Sequence, residues 1–173
     1  MVTTGTTATT GTTGTAYAVA AATPDPELPM LTVADLGILR AVTVTPTGVL
    51  VIITPTYSGC PAMPEICADI SRRLTRAGFA PVTVSTQLAP AWTSDWITAD
   101  GRRKLGEAGI APPLPAPRRD GPIPLTLGLP APARCPRCGS ARTRQTAGFS
   151  ATACTSLHRC DDCGEPFEAV KPL

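Results

Sequence analysis

Two short segments of the sequence share the pattern Cys-x-x-Cys-Gly, and 21 residues lie between the last cysteine of the first segment and the first cysteine of the second. Two cysteines three positions apart on a tight turn can direct both thiolates at one cation, and the following glycine permits the positive φ that this turn requires. Two such pairs together supply the four ligands of a closed, tetrahedral structural metal site. The predicted ligands are Cys135, Cys138, Cys160 and Cys163.

Zinc is the metal that this ligand set favours, but four thiolates also accept iron, so a rubredoxin-like electron carrier is a second interpretation. Because four cysteines fill the site, we expect His158 to be a solvent-facing strand residue and Cys154 to be a buried filler or strand residue. From Arg134 onward the chain has six basic and four acidic residues, a balance that argues against a nucleic-acid surface.

A further cysteine, Cys60, stands in the segment TPTYSGCPAMP, between a strand-like run and a helix-like run. It could be a nucleophile, a metal ligand or a small packing residue. No histidine precedes it in the sequence, which weakens the nucleophile interpretation. Pro61 suits the first position of a helix, so we predict that Cys60 is the N-cap, where the positive helix end lowers the thiol pKa. Such a thiolate is also a good ligand for a soft metal.

Two carboxylates, Asp25 and Glu27, stand upstream in the segment DPELP, where prolines restrict the backbone around them. By propensity alone, capping of a helix N-terminus is their expected role. Carboxylates close to a thiolate could also help to hold iron. The sequence contains neither the paired Glu-x-x-His motifs of a diiron protein nor a phosphate-binding glycine loop, and we expect no catalytic constellation.

The elements that must position these residues fall into distinct regions of the 173-residue chain, whose formal net charge is only +2. Residues 1–23 are almost wholly Thr, Gly and Ala, and we predict a disordered tail because such side chains bury little apolar area. We expect neither a secretory signal nor a membrane span. Seven cysteines without a signal indicate a reducing cytoplasm.

Eight prolines between Pro112 and Pro132 predict an extended linker over residues 112–133. The region 24–111 before it shows an α+β pattern, and the region 134–173 after it is a small zinc-ribbon β module that needs its metal for stability. Within 24–111 we predict a small three-stranded sheet packed with helices. Its strands are residues 41–44, 49–53 and 81–88, and its helices are residues 61–77 and 98–108.

Several segments carry a resemblance to a known family. The iron-sulfur assembly domain family, which includes the bacterial SufT proteins, is similar in DPELPMLTVADLGILR, TPTYSGCPAMPEI and WTSDWITADGRRKLGEAGIAPP. With CPRCGSARTRQTAGFSATACTSLHRCDDCGEPFEAVK added, the whole of residues 24–173 resembles the PaaD (PaaJ) family of the bacterial phenylacetyl-CoA ring epoxidase. The segment from SATAC to CDDCGEPF is the most specific part of this resemblance.

The resemblance implies an accessory, non-enzymatic subunit of the phenylacetyl-CoA 1,2-epoxidase in aerobic phenylacetate catabolism. It implies that the protein matures the diiron oxygenase or its iron-sulfur flavin reductase, with Cys60, Asp25 and Glu27 at the positions that transiently hold iron or a cluster. The zinc ribbon is then expected to stabilise the structure and to provide a surface that binds partners. A docking subunit that bridges oxygenase and reductase without metal on Cys60 is the alternative, and neither nucleic acid nor a membrane is an expected partner.

Overall fold

A computed structural model describes residues 12–57, 59–114 and 132–172. The chain divides into two compact units, Met1–Trp92 and Thr93–Leu173. No helix in the described ranges is both long and apolar enough to cross a bilayer.

The first unit is a three-stranded sheet with two helices. Its elements in chain order are α1 (Thr13–Ala21), β1 (Leu39–Thr45), β2 (Gly48–Ile53), α2 (Met63–Arg76) and β3 (Val82–Thr86). The strand order is β1-β2-β3, with β1 and β2 forming an antiparallel hairpin. β3 runs parallel to β2, and α2 lies in the crossover between them. The predicted three-stranded α+β arrangement is confirmed.

Alternating apolar residues explain how this sheet buries one face. Val49, Val51 and Ile53 of β2 are almost fully buried, while Leu50 between them is 38% exposed. In α2 the positions Ile66, Ile70 and Leu74 recur at four-residue steps and are all buried. Full burial of such side chains contributes about 1.5–3 kcal/mol each. The turn that carries Cys60 therefore lies between two well-anchored elements.

Helix α1 contradicts the prediction that residues 1–23 form a disordered tail. The Thr12 hydroxyl caps the helix by accepting a hydrogen bond from the Thr15 amide at 3.2 Å. Ala16 and Ala20 are fully buried, and the helix packs against β1 and α2. The small alanine side chains let α1 pack closely against β1 and α2. This tertiary packing stabilises the helix although the segment contains few large apolar residues. Residues 1–11 of the predicted tail lie outside the described residues.

The second unit contains a four-stranded sheet and a preceding helical segment. Its elements are a 3₁₀ turn (Ser94–Trp96), α3 (Ala99–Glu107), β4 (Ile110–Ala111), β5 (Thr143–Ala147), β6 (Thr155–Cys160) and β7 (Pro166–Val170). The strand order is β4-β7-β6-β5. β4 pairs parallel with β7, and the other neighbours are antiparallel.

The position of β4 corrects the predicted domain boundary. The sequence pattern places residues 93–111 in the domain 24–111, but they group with the ribbon because β4 pairs with β7. A two-residue strand is too short to be found from sequence periodicity. Of the predicted linker 112–133, residues 115–131 lie outside the described part of the chain.

Candidate metal-binding sites

Four cysteine sulfur atoms converge in the second unit, as the two knuckle motifs predict. The Sγ atoms of Cys135, Cys138, Cys160 and Cys163 all lie within 4.8 Å of one another. The Cys135–Cys163 pair is separated by 3.7 Å and the Cys138–Cys160 pair by 3.6 Å. Metal–sulfur bonds of about 2.3 Å in a tetrahedron place sulfur atoms roughly 3.8 Å apart. The donor set therefore fits a four-coordinate metal ion.

Backbone hydrogen bonds shape each pair of ligands in the same way. In the first knuckle the Cys135 amide donates to the Ser140 carbonyl at 2.9 Å, and the Gly139 amide donates to the Cys135 carbonyl at 2.8 Å. Gly139 has a φ of 75°, a conformation that a side chain would disfavour. The second knuckle repeats both bonds, from Cys160 to Glu165 at 2.9 Å and from Gly164 to Cys160 at 3.0 Å.

The four sulfurs perturb one another's ionisation. The pKa of Cys160 is lowered to about 7, chiefly because the Cys163 amide donates a hydrogen bond that favours the thiolate. The Ser140 amide likewise favours the thiolate of Cys138. Hydrogen bonds with the sulfurs of Cys163 and Cys160 favour its protonated form instead and raise its pKa to about 12. Without a cation the four thiols cannot all ionise, whereas a bound dication stabilises four thiolates. The chemistry of this donor set therefore fits a metal-binding site.

Ion pairs between the knuckles neutralise most of the nearby arginines. Arg137 pairs with Glu165, and Arg144 reaches Asp161 at 3.3 Å. Arg142 lies 3.1 Å from Asp162, whose carboxylate also accepts a hydrogen bond from the Ser140 hydroxyl. Because these pairs are exposed, each contributes little stability. They join the segment from Arg137 to Arg144 to the second knuckle and to the residue that follows it.

His158 is not the solvent-facing residue that the sequence predicts. Its side chain is buried, its Nε2 lies 2.9 Å from the Ser156 hydroxyl, and its ring stacks on Phe167 with centroids 5.5 Å apart. Burial lowers its pKa, so the imidazole is neutral at physiological pH. Cys154 is half-buried just before β6, with its Sγ 3.1 Å from the Thr152 hydroxyl. Neither residue belongs to the four-sulfur cluster.

In the first unit, Cys60 occupies the turn between β2 and α2. The Cys60 amide donates to the Tyr57 carbonyl at 3.2 Å, and the Cys60 carbonyl accepts from the Met63 amide at 3.3 Å. The helix begins only at Met63, so Ala62 is its N-cap and the prediction that Cys60 caps the helix is wrong. Pro64, rather than Pro61, takes an early helical position.

Burial and two carboxylates oppose ionisation of Cys60. Partial burial is the largest influence and raises the pKa of the thiol, and the negative charges of Glu27 and Asp25 act in the same direction. Hydrogen bonds from the Ala62 amide and the Thr56 hydroxyl favour the thiolate but do not outweigh burial. The predicted lowering of the Cys60 pKa is therefore wrong. In the metal-free protein this side chain is a thiol at neutral pH.

Asp25 is buried and performs a capping role. Its Oδ1 atom accepts hydrogen bonds from the amides of Glu27 at 2.9 Å and Leu28 at 2.8 Å. Desolvation raises the pKa of its carboxyl despite these two donors. Asp25 caps a local turn in this way rather than one of the named helices. It also lines a pocket of about 250 Å³ with Pro24, Pro26, Pro29, Glu65, Ile66, Asp69 and Arg72.

Cys60, Asp25 and Glu27 do not form a compact ligand set in this conformation. Within the described ranges, the four-cysteine cluster is the one group of three or more potential ligands whose donor atoms lie within 4.8 Å of each other. Thr56, whose hydroxyl bonds to the Cys60 sulfur, is not among the residues predicted from the sequence. Its signal is a hydroxyl residue four positions before the cysteine and three positions after the end of β2.

Comparisons with known proteins match both units. Residues 21–85 match the family described as iron-sulfur cluster assembly protein, and residues 120–171 match the PaaD zinc beta ribbon domain. An Escherichia coli K12 protein, named as a putative subunit of 1,2-phenylacetyl-CoA epoxidase, is 45% identical over 155 residues, which are 90% of each chain.

Solved structures resemble part of the chain. The DUF59 domain from Bacillus anthracis superposes with a TM-score of 0.50 at 25% identity, covering 54% of this chain and 91% of its own. A Mycobacterium tuberculosis protein described as associated with Fe-S complex assembly and repair is 29% identical over 56% of this chain and 82% of its own, with a TM-score of 0.28.

Proposed function

Because the chain belongs to the PaaD family of phenylacetyl-CoA epoxidase subunits, we propose that it is a non-catalytic accessory component of such an epoxidase. Its proposed task in aerobic phenylacetate catabolism is delivery of iron or an iron-sulfur cluster. The clients are the diiron oxygenase or the iron-sulfur flavin reductase of the same complex. The name of the Escherichia coli relative supports the assignment to an epoxidase complex. The match of residues 21–85 to the iron-sulfur cluster assembly family supports the proposed delivery of iron or a cluster.

The observation that carries the delivery proposal is the environment of Cys60. Its side chain is partly exposed, so a second protein can approach it. The Thr56 hydroxyl and the Ala62 amide both donate to the sulfur and stabilise it as a thiolate when a cation displaces its proton. Nearby negative charges on Asp25 and Glu27 favour cationic cargo over an anion.

An incomplete ligand set suits a carrier better than a storage site. Cys60, Asp25 and Glu27 do not lie close enough to enclose an ion by themselves. Cargo held by Cys60 with only partial support keeps coordination positions that a client's ligands can occupy. The client then completes the coordination and removes the cargo. Tight enclosure by four ligands, as in the second unit, would oppose such transfer.

The four-cysteine site has the contrasting, structural role. Its ligand set is closed, because four sulfurs fill a tetrahedron and leave no position for a substrate. We propose that it holds zinc, which supplies folding stability to a module too small to rely on apolar burial. The match to the PaaD zinc beta ribbon domain supports this choice of metal over iron.

A docking subunit without cargo is the second candidate, and two observations favour it. The Cys60 thiol is protonated at neutral pH in the metal-free protein, and its neighbours form no compact ligand set. In this role the protein bridges oxygenase and reductase through its surfaces alone. A rubredoxin-like carrier is a third candidate, since the sulfur separations suit iron as well as zinc.

Client loading distinguishes delivery from docking. Oxygenase and reductase are produced together with the wild-type chain, Cys60→Ser or Cys67→Ser, and their iron and cluster contents are measured after purification. Cys67 is the matched control because it is another half-buried free cysteine of the first unit. If the chain delivers iron or a cluster, Cys60→Ser should leave the oxygenase or the reductase depleted of it, and Cys67→Ser should not. Full loading with Cys60→Ser, together with loss of oxygenase–reductase association when the chain is omitted, would establish docking instead.

A further inference from the structure

The shortest strand of the second unit is part of the metal site's support. β4 consists of Ile110 and Ala111 alone, paired with Glu168 and Ala169 of β7. It reaches this sheet from a part of the chain that precedes the first knuckle by more than twenty residues. Ala111 is only 1% exposed, so the strand is packed rather than loosely attached.

Ala111 shares a buried cluster with two of the metal ligands. Ala111 belongs to one buried cluster with Cys135, Cys160, Phe167 and Ala169. Cys135 and Cys160 are the buried ligand of each knuckle, whereas Cys138 and Cys163 are exposed. One continuous buried cluster, which also contains Phe167 and Ala169 of β7, therefore joins two of the predicted metal ligands to β4.

The segment before β4 is tied into a closed arc by one arginine. The Arg102 guanidinium donates to the Ser94 carbonyl at 2.7 Å and to the Pro113 carbonyl. These contacts join the turn before α3 to the residues that follow β4. Only Ala108 and Gly109 separate α3 from β4, and Gly109 has a φ of 77°. β4 therefore belongs to a hydrogen-bonded arc formed by residues 94–113.

Two residues of parallel pairing cannot hold a strand in place without packing support. That support comes from the buried cluster that includes Cys135 and Cys160, whose positions would be set by a bound ion. We propose that occupancy of the four-cysteine site and docking of β4 are coupled, so that metal loss releases residues 110–111 from the ribbon sheet. By linkage, a change that disturbs β4 weakens metal binding. This coupling is independent of the role proposed for Cys60.

Hydrogen exchange on the full-length chain tests the coupling directly. The protein is compared in its zinc-loaded form and after removal of zinc by a chelator. Peptides covering β4 are expected to lose protection together with those covering β7, while peptides covering β2 of the first unit keep theirs. Unchanged protection of β4 after zinc removal would overturn the proposal, whether or not β7 exchanges faster.

The reciprocal experiment measures zinc affinity by competition with a chromophoric chelator. Ala111→Leu overfills the buried cluster, and Ala108→Leu is the matched control because Ala108 is exposed on the same arc. Ala111→Leu is expected to bind zinc about tenfold more weakly, as overpacking of a small core commonly costs this much. Ala108→Leu is expected to match the wild type. Equal zinc affinities for the two variants would also overturn the proposal.

Discussion

The Sγ atom of Cys138 lies 3.6 Å from that of Cys160, although 21 residues separate them and they belong to different knuckles. The other short contact, between Cys135 and Cys163 at 3.7 Å, also crosses from one knuckle to the other. In each case a buried sulfur of one knuckle meets an exposed sulfur of the other. A metal ion at this position therefore clamps both knuckles at once, and neither can open alone while it is bound.

Zinc affinity is expected to rise with pH. In the metal-free chain the pKa of Cys138 is raised to about 12 and that of Cys163 is raised as well, so both are protonated near neutrality. Zinc binds thiolates, and binding must therefore release these protons. Chelator competition between about pH 6 and pH 8 should show weaker binding at the lower pH. Calorimetry in two buffers of different ionisation enthalpy would measure the released protons. Affinity independent of pH would contradict this expectation.

Charge and hydrogen bonding at Asp25 are separable by substitution. Burial raises the folded-state pKa of its carboxyl above the ordinary value of 3.8, so the folded state binds a proton more readily than the unfolded state. The carboxyl therefore stabilises the fold only at acidic pH, and that advantage is lost as pH rises through the folded pKa. Asp25→Asn keeps an Oδ1 acceptor without charge and should be at least as stable at pH 7.

The matched variant Asp25→Ala removes the acceptor for the amides of Glu27 and Leu28. We expect it to lower the free energy of unfolding by about 1–2 kcal/mol, measured by urea denaturation at pH 7. Equal destabilisation by Asn and Ala would show that the charge itself stabilises the fold. If Asp25 supports cargo through its carboxylate, Asp25→Asn should also lower iron loading while preserving stability.

Thr56 is expected to tune the reactivity of Cys60. Its hydroxyl donates to the Cys60 sulfur and favours the thiolate, so Thr56→Val should raise the thiol pKa further. Alkylation of Cys60 at neutral pH should then slow, because the thiolate is the nucleophile. Mass spectrometry of the Cys60 peptide over a pH series measures this rate. Thr56→Ser keeps the hydroxyl and should react like the wild type; slowing by both variants would indicate a steric effect instead.

The helix α1 provides a test of the folded N-terminal region. Ala16 is fully buried and Ala18 is exposed on the same helix. Ala16→Glu should lower the free energy of unfolding by roughly 2 kcal/mol or more, since it places a charge in a packed interface. Ala18→Glu should change it by less than about 0.5 kcal/mol. Equal stability of the two variants in thermal unfolding would contradict the packing of α1 and support the prediction that this region is disordered.

Local sequence patterns predict the elements that depend on local interactions. The alternation in residues 41–44 and 49–53 identifies the hairpin, which extends over β1 and β2. The three- and four-residue steps between 61 and 77 identify α2, observed at Met63–Arg76. Each knuckle is found because its two ligands and its glycine lie within five residues. Such spacing encodes the turn directly.

The features that local patterns miss depend on contacts between distant parts of the chain. The burial of Ala16 requires β1 and α2, so the composition of the tail is misleading. β4 is stabilised by its pairing with β7, far away in sequence. The predicted N-cap is misplaced because both Pro61 and Pro64 suit an early helical position, and only the observed backbone distinguishes them. His158 is buried through its stacking on Phe167, which no local pattern indicates.

Delivery through Cys60 is tested most directly by metal analysis and an optical spectrum of the full-length protein, purified anaerobically and reconstituted with iron and sulfide. Wild type, Cys60→Ser and the control Cys67→Ser are compared. We predict one zinc per chain in all three, at the four-cysteine site, and iron with visible absorption in the wild type and Cys67→Ser only. A wild-type protein that takes up no iron, or a Cys60→Ser protein that takes up as much as the wild type, would contradict delivery through Cys60.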